Sequence, residues 1–142
     1  MKKEKIIISS CLLGHNCRWH GRKVSVSSFV KKYIKQKEKE GIEIECIMVC
    51  PELLGGLTVP RKPVKRLKDR VWETCEDKKL RAKVTGKELT KEFKEGALKV
   101  LEIAKEENIK KAILCQWSPS CDIKGITGKL LNENEIEIIN TF

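Results

Sequence analysis

Apolar residues in this chain fall into two kinds of run. Short continuous ones, Ile6-Ile7-Ile8, Ile47-Met48-Val49 and Ala112-Ile113-Leu114, have the length and β-branched character of strands buried on both faces. Longer stretches repeat every three or four residues: Val26, Phe29, Val30, Tyr33 and Ile34, then Leu89, Phe93, Ala97, Val100, Leu101 and Ala104. The pattern predicts strands over residues 4–10, 43–49 and 110–115 and a last short one over 135–140, with helices over 25–39 and 88–107. Gly41 stops the first helix. The stretch after the second strand is irregular, punctuated by Gly55-Gly56, Pro60 and Pro63, with short strands expected around 70–73 and 80–84. Strands alternating with helices define an α/β chain, and right-handed crossovers put the strands in one parallel sheet.

Length changes this picture little: 142 residues suit a single domain, taken here as 1–142, with an aliphatic core. No stretch approaches the ~18 apolar residues of a membrane span. Met1-Lys2-Lys3-Glu4-Lys5 has a basic start but no small-residue cleavage pattern behind it, so the expectation is a soluble, cytoplasmic protein with no membrane partner. The formal charge of +10 is spread over surfaces that mix Lys with Glu, as solvated helix faces do. Arg61, Lys62, Lys65, Arg66 and Lys68 are more concentrated and could meet an anionic substrate group, phosphorylated or nucleic acid.

Seven cysteines change it more. The count is odd, a cytoplasmic chain keeps its thiols reduced, and no C-x2-C pair is present, so neither a disulfide framework nor a zinc finger is expected. Cys11, Cys50 and Cys121 instead each follow an apolar strand, among turn residues. Parallel sheets carry ligands beyond the carboxyl ends of their strands, so three such loops can bring three soft ligands to one cavity. Three thiolates leave a metal centre one open position. Taken singly, Cys11 could merely fill a strand end. Cys46, Cys75 and Cys115 are expected outside the set, Cys46 as core and Cys75 as a surface thiol. Glu52 follows Cys50-Pro51 and could act as a base or cap a helix. Ser118 and Ser120 flank Pro119 and put two hydroxyls beside Cys121.

These same segments resemble a known family. Ser10-Cys11-Leu12-Leu13-Gly14 with Cys17-Arg18-Trp19-His20-Gly21 is similar to the opening of the TudS-like thiouracil desulfidases, S-A-C-L-L-G-x-x-C-R-Y-D-G. Val49-Cys50-Pro51-Glu52-Leu53-Leu54-Gly55-Gly56-Leu57 with Pro60-Arg61 resembles their second block, and Ser118-Pro119-Ser120-Cys121 their third. The resemblance runs from about residue 6 to 130. It implies a Rossmann-like, three-layer α/β domain with a mostly parallel sheet, and a 4Fe–4S cluster held by Cys11, Cys50 and Cys121. It also implies non-redox removal of sulfur from a thiouracil-type base or nucleotide. In that setting Glu52 is the expected base, and Ser118 or Ser120 relays a proton. His20, Lys65, Cys115 and Asp122 depart from the family's Asp, Glu, Lys and Gly. The helix usually set between the Gly128-Lys129-Leu130 segment and the last strand has no room in residues 131–135.

Two other classes stay open. Cys17 could supply a fourth ligand and close a structural zinc or iron–sulfur site without catalysis. A basic nucleic-acid binding module with incidental cysteines is the other.

Overall fold

The computed structural model describes residues 2–75, 77 and 83–142. Strand β1 (Lys2–Ser9) lies at the centre of a four-stranded sheet of order β2-β1-β5-β6. Its Ile6, Ile7 and Ile8 are wholly buried, as the continuous apolar run requires of a strand covered on both faces. Strand β2 (Ile42–Val49) pairs with β1 in parallel, from Lys2 opposite Ile42 to Ser9 opposite Val49. On the other side β5 (Lys111–Cys115) sets Ile8 opposite Ile113, and β6 (Glu137–Thr141) sets Thr141 opposite Cys115. Every pairing in this sheet is parallel, so all four strands end at one edge of the fold.

Helix α1 (Ser28–Lys39) joins β1 to β2; α3 (Thr90–Glu106) returns to β5, and α4 (Ile126–Glu133) joins β5 to β6. The first crossover runs outward in one direction and the other two in the opposite direction. Right-handed connections therefore put α1 on one face and α3 with α4 on the other, a three-layer arrangement. The chain turns left after β1 and right after β5. Their adjacent carboxyl ends form the topological switch point, where open α/β sheets bind their ligands.

Between β2 and α3 come a single helical turn, α2 (Pro51–Leu54), and an antiparallel hairpin of β3 (Val64–Leu67) and β4 (Arg70–Glu73). Val71 of the hairpin is buried against Leu89 and Phe93 in a small second core. Helix α3 buries Phe93, Ala97, Val100, Leu101 and Ala104, the stripe its periodicity predicts. Its Gly96 lies directly on α2: an added Cβ would run into the Pro51 carbonyl oxygen.

Three expectations need correction. Residues 25 and 26 precede α1, which starts at Ser28 because the Ser27 hydroxyl caps it, accepting the Val30 N–H; Val26 and Phe29 stay largely exposed. The Gly128-Lys129-Leu130 segment is itself helical within α4, where close contact of Gly128 with the Asp122 carbonyl makes room for a helix the sequence reading omitted. The strand expected over 80–84 lies mostly outside the described residues, and of it Lys83 and Val84 are not strand. No helix among the described residues is long and apolar enough to cross a membrane.

Candidate active site

Each of the three strand-end cysteines is held by its own local device. Cys11 sits in a tight 3-10 turn, Ser10–Leu13, closed by the Gly14 N–H on the Cys11 carbonyl. Gly14 has φ +90°, a left-handed backbone that glycine adopts without cost. Cys50 is the extended residue that opens α2, with Pro51 at the first helical position. Cys121 lies in the β5–α4 loop, whose backbone folds around the Ser118 hydroxyl: Ser118 Oγ accepts the N–H groups of Ser120 (3.2 Å) and Cys121 (3.1 Å). From β6, Asn140 Nδ2 donates to the Cys121 carbonyl (3.2 Å) and the Leu114 carbonyl (3.3 Å), tying that loop to two strands.

The three side chains meet at one cavity of about 210 Å³ over the switch point, lined also by Glu52, Ser118 and Ser120. Cys17 and Cys115 line it as well. For Cys115 this corrects the expectation: it is the last residue of β5, and the Ser9 hydroxyl accepts its backbone N–H (2.9 Å), which seats it beside the end of β1. Cys46 and Cys75 are not among the lining residues. A larger cavity of about 570 Å³ is walled by Lys94, Lys124, Lys129 and Leu98, with no thiol, imidazole or hydroxyl side chain among the described residues that line it.

The five thiols share protons unequally. Cys11 is held well below the usual thiol range, first by hydrogen bonds from Cys115 and Cys17 and further by Arg18. Cys17 and Cys115 are pushed up because each donates to Cys11. Cys50 falls to about 7, chiefly through the hydrogen bond from Cys17, with the Leu53 N–H and Arg61 adding to it against burial. Burial raises Cys121 to about 11, partly offset by the Ser9 and Ser120 hydroxyls. Arg18 Nη2 stands 3.6 Å from Cys115 Sγ, while its buried Nε has no hydrogen-bond partner.

This donor set fits an anionic, sulfur-ligated cluster. Thiolates are the ligands such a cluster takes: Cys11 and Cys50 are biased that way, Cys121 is held protonated by burial and would give up its proton to iron, and the orphaned guanidinium N–H of Arg18 beside them has charge left to satisfy. No three carboxylates, imidazoles and thiols among the described residues converge on a single-ion position.

Glu52 reaches the cavity, but its carboxylate is ion-paired with Arg61, and both side chains are mostly buried. Arg61 also donates to the carbonyls of Cys17 (3.2 Å) and Thr58 (3.0 Å). The guanidinium expected to meet a substrate anion is thus turned inward; Lys62 is the exposed member of that pair. A second cavity of about 210 Å³, bordered by Arg61 and Lys62, shares Glu52, Pro119, Trp19 and Trp117 with the thiol cavity. Sequence reasoning missed Cys115, Arg18, Ser9 and the two tryptophans. Ser9 and Cys115 were open to detection as final residues of parallel strands.

A parallel α/β sheet carrying a thiol-lined cavity at its switch point defines the class of protein. Within that class, the chain belongs to the 2-thiouracil desulfurase family, whose model matches residues 6–140. It is 34% identical over 116 residues to the uncharacterized protein YbbK of Bacillus subtilis (strain 168), covering 82% of this chain and 72% of that one. It also superposes on a solved structure, a [4Fe-4S]-dependent thiouracil desulfidase, TudS. The TM-score is 0.76 at 30% identity, over 96% of this chain and 90% of the other.

Proposed function

We propose that this chain is an enzyme, a single desulfidase domain over residues 1–142. It holds a 4Fe–4S cluster through Cys11, Cys50 and Cys121 and removes sulfur from a thiouracil-type base or nucleotide. One observation carries the reading: the three cysteines, each beyond a different parallel strand, line one cavity at the switch point. Membership of the 2-thiouracil desulfurase family and the likeness to TudS support both the reaction and the cofactor.

A cluster bound there supplies a Lewis-acidic iron to a thiocarbonyl sulfur. The chain does the rest. Glu52, at the junction of the two cavities, takes the proton of the attacking water, with Arg61 fixing the carboxylate's direction. Ser118 Oγ already accepts two backbone N–H groups, which leaves its own hydrogen to donate. It lies 3.1 Å from Ser120 Oγ, and the Ser120 hydroxyl reaches Cys121 Sγ at 3.7 Å. The two hydroxyls form a short hydrogen-bonded line that ends on Cys121 Sγ, which sets both at the thiol cavity to relay a proton there. Lys62 meets a nucleotide's phosphate, and the reduced thiols suit the cytoplasm.

Anaerobic reconstitution tests this directly. Brown protein with iron and sulfide, releasing sulfide from 2-thiouracil or its nucleotide, is the expected result. Because Cys17 bridges Cys11 and Cys50, a closed structural site is the second reading. Colourless protein holding zinc and releasing no sulfide would establish it and end the first.

A further inference from the structure

Trp117 is an odd residue to find where it is. It lies in the β5–α4 loop between Cys115 and Ser118, with φ 61°, a left-handed backbone that bulky side chains rarely adopt. The Asp122 carboxylate accepts its N–H at 2.8 Å and holds that conformation. Its ring makes a T-shaped contact with Phe142, with centroids 4.8 Å apart and planes at 72°. Despite these restraints the residue is 74% exposed. A tryptophan held in a strained backbone, in T-shaped contact with one ring and still largely exposed, is placed for something outside the chain.

What it faces is specific. Trp117 borders both the thiol cavity and the cavity beside Lys62, and Trp19, from the Cys17 loop, borders the same two. Both tryptophans are thus shared by the thiol cavity and its neighbour, where the two cavities adjoin.

We infer that Trp117, with Trp19, forms a stacking slot that grips a planar heteroaromatic ring and aims its exocyclic sulfur at the thiol cavity. The inference rests on the desulfidase reading for the sulfur, but not for the ring: a flat, polarisable pyrimidine-type face is what an indole binds. A ring gripped in this way discriminates against aliphatic thiols and thioureas at the entrance to the thiol cavity. Such compounds offer the same soft sulfur with no face to stack.

The test uses anaerobically reconstituted protein, with calorimetric binding of uracil measured beside sulfide release from 2-thiouracil. Trp117→Ala is expected to weaken uracil binding and raise KM by roughly 5–150-fold, the loss of one base–aromatic stack, with cluster absorbance unchanged. Trp117→Phe keeps an aromatic face and is expected to recover most of both, which also separates stacking from folding. Unchanged uracil affinity and KM in Trp117→Ala would overturn the slot while leaving desulfidation standing. Equal losses in Trp117→Phe and Trp117→Ala would overturn it too, since they mean that the loop rather than the ring face was lost. If no thiouracil is turned over at all, the desulfidase reading fails, and uracil binding still decides the slot.

Discussion

The guanidinium of Arg61 is ion-paired with Glu52, the residue two beyond Cys50, and the same guanidinium holds the carbonyl of Cys17. One side chain thus couples the proposed base to the loop that carries Cys17. Removing it leaves a mostly buried carboxylate without its counter-charge. Arg61→Met is expected to cost about 3–5 kcal/mol of stability, the usual penalty for stranding one member of a buried pair. Glu52→Gln can still accept from Arg61, and it should keep the iron–sulfur absorbance while losing roughly 10²–10⁴-fold in sulfide release. Urea midpoints and sulfide assays on the same preparations check both. Full turnover by Glu52→Gln at full cluster occupancy would remove Glu52 from the mechanism and leave Ser118, Ser120 and Asp122.

The five thiols of the cavity are not equivalent, and single replacements should sort them. Alanine at Cys11, Cys50 or Cys121 is expected to abolish or cripple cluster assembly, read as iron and acid-labile sulfide per chain. Cys75→Ala should keep full occupancy. Cys17→Ala and Cys115→Ala should assemble a cluster, because these two thiols donate hydrogen bonds to Cys11 and are not among the three proposed ligands. Hydrogen bonds to cluster sulfurs help set its potential, so the Cys115 variant should shift the reduction potential. Loss of the cluster in Cys17→Ala with retention in Cys11→Ala would reverse the assignment.

The frame was legible because its two central strands are covered on both faces, whereas the edge strand β2, read the same way from Ile47-Met48-Val49, leaves Met48 exposed. Ile6-Ile7-Ile8 and Ala112-Ile113-Leu114 read as buried strands without any knowledge of their partners, and α3 announced its inner face through Phe93, Ala97 and Val100. Helix α4 escaped because its pattern depends on contact rather than period: Gly128 is there to let the Asp122 carbonyl approach, and a glycine in a short segment reads as a turn. At the site, residues beyond strand ends were visible by position. Cys115 was misread because it closes a strand rather than following one. The inward turn of Arg61 had no signal at all, since a basic cluster in sequence does not say which of its members is buried.

Far from the site, Lys111 opens β5 with its ammonium 3.1 Å from the Tyr33 hydroxyl, 3.7 Å from Glu4 and 3.8 Å from Glu137. Its pKa is raised above 10.5, first by the Tyr33 hydrogen bond and then by the nearby charges, against burial. A raised folded-state pKa means the interaction stabilises fully below the unfolded value and is lost as pH climbs through the folded one. Lys111→Met should therefore be less stable than the parent at pH 7, by about 1 kcal/mol or less given its partial exposure. That difference should shrink as the pH passes 10.5. Thermal midpoints of both proteins across that range measure it, and a gap that widens with pH would contradict the sign.

Gly96 tests how packing reaches the cavity. Its missing side chain lets α3 lie against the carbonyl of Pro51, and Gly55 likewise abuts the Glu92 carbonyl, so backbone meets backbone at this crossing. Alanine is the better helix former by up to about 1 kcal/mol, which alone would stabilise Gly96→Ala. Overpacking opposes it at about 1–3 kcal/mol, and the obstructing atom is a backbone oxygen that cannot swing aside. The clash should win, giving a lower urea midpoint. Because Pro51 adjoins Cys50, the displaced turn should also lower iron incorporation, which a surface change on the same helix would not do. Leu98→Ala supplies that control, since Leu98 is 57% exposed on α3. If Gly96→Ala proved more stable than the parent with unchanged iron content, the α2–α3 contact would not be what holds Cys50 in place.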